Sequence, residues 1–342
     1  MRNWVSCFSC LPSNIFILLV TFVIAVGICG CTISKKQQSY FGNKINYKKM
    51  MHMQQQKHAI SVENETPEKT HEMTAEEYER LGDNYVSQGN LVMAFVQYNN
   101  ALGLDPGLIG VHHKVGQLFL RRGMNDEAMV KFEEILENDT NNALAYEGKG
   151  VVFFERGKLD KSEESFRRAV NLEPKLWKAY TFLGIIYDRR EQYEAAINEY
   201  QTAIAIKPDS STLFNDLGIS NYLNGDYEKS LEALSKALKL EPENSRLYNN
   251  MGLALCKLGR YDDAFKAFKS GGNEAGAYNN IGYLYMTEQK YKQALEAFEK
   301  AIEKKPKYYI KAQENREIAK ATISRLSEDS EQKKSGTITI DN

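Results

Sequence analysis

Methionine and histidine crowd the stretch MMHMQQQKH at residues 50–58. Thioether and imidazole together suit a soft metal ion, provided something fixes them around one point. Nothing here does, because the stretch has neither helical nor hairpin placement, and it reads as plain linker. His112 and His113 are neighbours in sequence and leave a helix in different directions, one of them towards a core position, which argues against a metal pair. The chain has no phosphate-cradling glycine loop and no catalytic constellation. The sequence therefore assigns no catalytic residue, no metal and no cofactor, and an enzyme is not expected. With 44 basic against 45 acidic residues, there is no electrostatic case for nucleic acid as a partner.

Cys31 is the residue placed for covalent modification. An apolar run from Ile15 to Cys31 follows Arg2, and its seventeen residues suit a signal-peptide core or a short membrane anchor. The run ends in ICGC, which is similar to a bacterial lipobox, although Cys29 stands where Ala or Ser is commoner. On that reading residues 1–30 are a signal peptide and Cys31 becomes the lipidated first residue; an uncleaved anchor is the alternative. Thr32 rather than Asp follows it, which by likeness to sorted lipoproteins points to the outer membrane, facing the periplasm. Cys7, Cys10 and Cys29 would leave with the signal. Cys256 would stand alone in a helix, so no disulfide is available within one chain. Residues 31–74 read as a disordered polar tether. Between Thr32 and Ile60 it carries six Lys and no acid, a composition suited to anionic headgroups or to plain solvation.

Carboxamides are the third chemical group on offer, and the elements that position them are repeats. Stepping by thirty-four residues from Ala75 gives starts at Ile109, Ala143, Trp177, Ser211 and Ser245. Place eight of each unit is Gly: Gly82, Gly116, Gly150, Gly184, Gly218 and Gly252. Place twenty is small, from Ala94 to Ala264, and place twenty-four is large and apolar, from Tyr98 to Phe268. Place thirty-two is often Pro, as in Pro106, Pro174, Pro208 and Pro242. Each unit holds two stretches of helical apolar spacing, separated by a polar turn such as RRGMND. One such hairpin cannot bury its apolar face alone, and stacked neighbours can. The pattern resembles the tetratricopeptide repeat. The expected fold is all-α: a right-handed α-solenoid of about seven helix hairpins over residues 75–308, with a capping helix over 309–326 and a disordered tail over 327–342.

The count fails once. The sixth unit meets Gly271-Gly272 after Phe268, and a seventh unit starts at Ala275, so unit six is thirty residues long. Losing about one helical turn keeps the apolar face nearly in phase. It predicts an altered packing angle and a thinner interface between units six and seven.

In such solenoids the first helices line the concave groove, at places two, five, nine, twelve and thirteen. Along the last three units, place five is Asn215, Asn249, Asn279, place nine is Ile219, Leu253, Tyr283, and place twelve is Tyr222, Cys256, Met286. Asn250 and Asn280 follow at place six. An amide row beside an apolar row could hold an extended peptide, since a carboxamide both donates and accepts. Asn is also common there simply because it suits the helix start. The first units differ, with Glu76, Glu79 and Asp83, then His113, Gln117 and Arg121, so the two ends of the groove are chemically unlike.

The lipobox, tether and array together resemble pilus- and secretion-associated lipoproteins. GGNEAGAYNNIGYLYMTEQKYKQALEAFEKAIEKKPKYYIKAQENREIAK, with its short unit before a full one, is similar to the C-terminal part of the TadD family of the Flp (tight adherence) pilus assembly system. The resemblance implies a lipid-anchored protein–protein interaction scaffold in the bacterial cell envelope, helping to assemble an outer-membrane secretin. The alternative is another periplasmic tetratricopeptide lipoprotein, such as a PilF-like type IV pilotin or a scaffold for wall enzymes.

Overall fold

A computed structural model describes residues 73–305 and 310–335. Within them the chain is a series of helix hairpins with no strand. They pair as α1 (Ala75–Ser87) with α2 (Leu91–Leu104), α3 (Ile109–Arg121) with α4 (Asn125–Asn138), and α5 (Ala143–Glu155) with α6 (Leu159–Leu172). Next come α7 (Trp177–Arg189) with α8 (Tyr193–Ile206), α9 (Ser211–Asn224) with α10 (Tyr227–Leu240), and α11 (Ser245–Lys257) with α12 (Tyr261–Ser270). Last are α13 (Glu274–Thr287) with α14 (Tyr291–Lys304), and α15 (Ile310–Ser335). The hairpins form a tetratricopeptide solenoid. The expected signal peptide with Cys31, the tether before Met73, Pro306 and the residues after 335 lie outside the described residues. Among the described residues no helix is long and apolar enough to cross a membrane.

The recurring sequence places have a steric cause. At Gly252 an added Cβ would stand 2.6 Å from the ring of Phe268. The glycine exists because the place-twenty-four side chain lies flat against the first helix. The same approach recurs from Gly82 under Tyr98 to Gly282 under Phe298. Place twenty is fully buried in every unit, from Ala94 to Ala294. Ser162 fits there by donating to the Gly150 carbonyl at 2.8 Å, whereas the Ser230 hydroxyl at the same place has no partner. The turn within each hairpin needs a left-handed residue at place fifteen. Gly supplies it at Gly89, Gly123, Gly157, Gly225 and Gly259, while Glu191 and Gln289 adopt φ of 59° and 61°.

Polar links tie each hairpin to the one before. Arg190 reaches back to Asp160 at 2.6 Å and Glu163 at 2.5 Å, and Arg156 pairs with Asp126. At the junction of units six and seven, Tyr261 donates to Glu288 at 2.5 Å and packs at a tilt against Tyr285, with ring centres 4.8 Å apart.

The structure adds to the sequence reading at three places. Gly271 has an ordinary right-handed φ of −75°, so it does not end α12 by a left-handed cap. Its lack of a side chain serves close approach, since a Cβ would meet the Ser245 carbonyl oxygen at 2.8 Å. The junction is also well filled. One buried cluster joins Leu255, Phe268, Ile281, Leu284 and Ala297, drawn from α11 to α14. The core continues across the junction because α12 loses its last turn while Ala264, Ala267 and Phe268 stay buried. The final helix runs to Ser335, past the expected end at Leu326 and into the segment read as disordered tail. It buries Ala312 and Ala319 and stands where the first helix of an eighth unit would.

Candidate binding face on the first helices

From the second hairpin onward the first helix is buried at places three, eight and ten, while places two and thirteen are mostly exposed and place nine is at least partly open to solvent. On α11 this buries Leu247, Gly252 and Ala254 and exposes Arg246 and Lys257, with Leu253 partly covered. Place nine forms an apolar row from unit three onward. Val151, Ile185, Ile219 and Leu253 are partly buried, and Tyr283 is 40% exposed. Ile318 of α15 continues the row at 56% exposure. At the other end the acidic character is largely cancelled, because Lys114 pairs with Glu79 and Asp83, each at 2.7 Å. Glu76, Gln117 and Arg121 lie on the same stripe without forming one site.

The two histidines part company. His112 Nε2 lies 2.9 Å from the Pro106 carbonyl oxygen. His113 packs 5.9 Å from the Phe132 ring, and burial, helped by Lys178 and Lys114, pushes its pKa down to about 4.

The amide row is not a continuous ladder. Asn215 and Asn279 are only 5% and 4% exposed. Asn250 Nδ2 donates to Asn215 Oδ1 at 2.7 Å, and Asn315 Nδ2 donates to Asn279 Oδ1 at 3.1 Å. These amides are spent holding successive first helices together. Asn249 and Asn280 are partly exposed and, among the described residues, neither side chain makes a hydrogen bond. Tyr222 is half-buried against Tyr227, 5.6 Å away, and burial pushes its phenol up to about 12. Met286 packs on the cluster of Phe298 and Ala319. The Cys256 thiol is buried, with its pKa pushed up to about 12, and is no nucleophile.

Sequence reasoning passed over two carboxylates in the middle of the array. Asp188 accepts from Ser220 Oγ and Tyr200 OH, both at 2.8 Å, and burial pushes its pKa up to about 6. Asp216 is pushed up to about 7, chiefly by burial and further by Asp188, against the Asn215 hydrogen bond and Arg246. A signal was present: Ser220 and Asn221 occupy places where unit four carries Ile186 and Tyr187.

Family models described as tetratricopeptide repeat match residues 115–176 and 275–308, and one described as TPR repeat matches 186–225 and 220–259. No match covers the stretch between Gly259 and Ala275, where the shortened second helix lies. Among solved structures, the Cut9–Hcn1 hetero-tetramer of APC/C matches with a TM-score of 0.51 at 20% identity, covering 71% of this chain and 49% of that one. A tetratricopeptide repeat protein from Parabacteroides merdae matches at 19% identity and a TM-score of 0.47, covering 72% of this chain and 98% of that one. YrrB, described as a TPR protein with an unusual peptide-binding site, matches at 23% identity and a TM-score of 0.44, covering 52% and 93%. No curated protein matches the chain.

Proposed function

Because the chain is a tetratricopeptide-repeat protein, a class that acts in protein–protein interactions, we propose that it is a scaffold whose first helices hold a protein segment. The observation that carries this is the solvent-facing stripe of those helices, with its apolar row ending at Tyr283 and Ile318. Exposed aromatic side chains of this kind act as anchors in interfaces.

The finer reading is a lipid-anchored envelope protein that assists assembly of a Flp/Tad-type pilus secretin. It is supported by the lipobox-like ICGC at Cys31, the lysine-rich stretch after it, and the short sixth unit with its TadD-like surroundings. The test is Cys31→Ser in the native host. The expected variant stays as an unprocessed precursor, takes no palmitate label and leaves the outer-membrane fraction, and secretin multimers fall with it. Normal labelling of the variant contradicts the anchor, and unchanged secretin multimers in a strain lacking the protein contradict the pilus role.

A further inference from the structure

A solenoid of antiparallel hairpins has two edges. The turns inside hairpins lie on one, and the turns between hairpins lie on the other. The first helix begins at Ala75, capped by Thr74, on the edge that carries the turns between units. The upstream chain, with its lysine-rich stretch and Cys31, is therefore attached at that edge.

The same edge is apolar where the array begins. At the first turn between units Leu104 is 58% exposed and Ile109 37%. The carboxylate of that turn, Asp105, accepts from the Gly107 N–H at 2.9 Å and is bound into its own loop. At the second turn Leu144 is 39% exposed, and Asp139 likewise accepts from the Asn141 N–H at 3.1 Å. At the third, Trp177 is partly exposed, with the ammonium groups of Lys178 and Lys207 at 5.7 and 5.8 Å from its ring centre. Lys207 belongs to the fourth turn, so the indole lies along the edge. Lys175 and Lys178 are exposed beside it and outweigh Glu173. The fifth turn is unlike these, because it exposes Glu241 and Glu243.

Alkyl tips, an indole and flanking ammonium groups match the boundary of a bilayer. Alkyl groups enter it, the indole sits at headgroup level, and the ammonium groups meet phosphates. The tips project from turns, which suits a deformable lipid surface.

We infer that the edge carrying the inter-unit turns of units one to four rests on the lipid bilayer. Leu104, Ile109 and Leu144 enter its surface, and Trp177, Lys175 and Lys178 lie among the headgroups. The contact ends before the acidic fifth turn, and the inner face stays open. This rests on the membrane-anchor reading above and adds the surface that the array itself turns to lipid.

The full lipidated chain is reconstituted into vesicles of phosphatidylethanolamine and phosphatidylglycerol that contain a phospholipid with a photoactivatable acyl chain. Labelled residues are mapped by mass spectrometry. Label is expected at residues 104–109, around 144 and at 177, and not on the opposite edge at 121–124 and 157–159. Leu104→Ser with Ile109→Ser loses the label at the first turn and keeps the thermal melt. Lys175→Gln with Lys178→Gln lowers the label at 177 several-fold at low salt, and has little effect without phosphatidylglycerol. Label confined to residues 1–73, or equal on both edges, overturns the inference and leaves the anchor reading standing. So does a benzophenone residue at position 104 that captures a protein in envelope vesicles while that turn takes no lipid label. Edge label combined with normal palmitate labelling of Cys31→Ser supports this inference and removes the lipidation. If no residue is labelled, both fall.

Discussion

At the residue scale, the buried carboxylates set the pH response. Asp188 and Asp216 have folded pKa values of about 6 and about 7, above the ordinary Asp value of about 3.9. The folded state therefore holds protons that the unfolded chain has released. These two groups favour folding at low pH and oppose it increasingly as pH rises through their folded values. Tyr200 and Tyr193 of α8, Ser220 of α9 and Arg246 of α11 face them. Asp216→Asn is expected to raise the unfolding midpoint at pH 8 and leave it nearly unchanged at pH 4.5. A midpoint gain that is equal at both pH values contradicts this account. The residue types at places eight, twenty and twenty-four were legible in the sequence because they solve one steric problem in every unit. The amide pairs were not, since Asn215 and Asn249 look alike until the partner's register is known. Nor was Asp188, whose donors come from two other helices.

At the element scale, the short α12 separates two glycines that the sequence treats alike. A Cβ at Gly271 would sit 2.8 Å from the Ser245 carbonyl oxygen, while at Gly272 its nearest neighbour is the Phe268 carbonyl oxygen at 3.7 Å. Gly271→Ala is expected to cost about 1–3 kcal/mol, the usual range for overpacking. Gly272→Ala is expected to be neutral or to stabilise by up to about 1 kcal/mol through the unfolded chain. Urea denaturation of both variants checks the difference, and equal effects would remove close approach as the reason for Gly271. Sequence periodicity located this element correctly, with α13 starting at Glu274. The helix ends at Gly271 as the periodicity requires, and the close approach there was not legible because a helix-ending glycine and a glycine under a neighbouring carbonyl leave the same letter.

At the scale of the whole molecule, stability in a solenoid is close to a sum of neighbour terms, so the order of opening follows the interfaces. The buried cluster across α11 to α14 carries the core through the short unit. Hydrogen exchange is expected to protect these helices together, with no step at Gly271, while the exposed end of α15 beyond Leu326 exchanges first. An early opening of everything after Gly271 would mean that the junction is weaker than its packing. The central claim is that the first helices, not the outer surface, hold the partner. Photo-crosslinking in intact cells tests it most directly, with a benzophenone residue placed at Tyr283 on the inner face or at Glu232 on the exposed side of α10. The account predicts a discrete adduct from position 283 and none from 232. An adduct from 232 alone would contradict it.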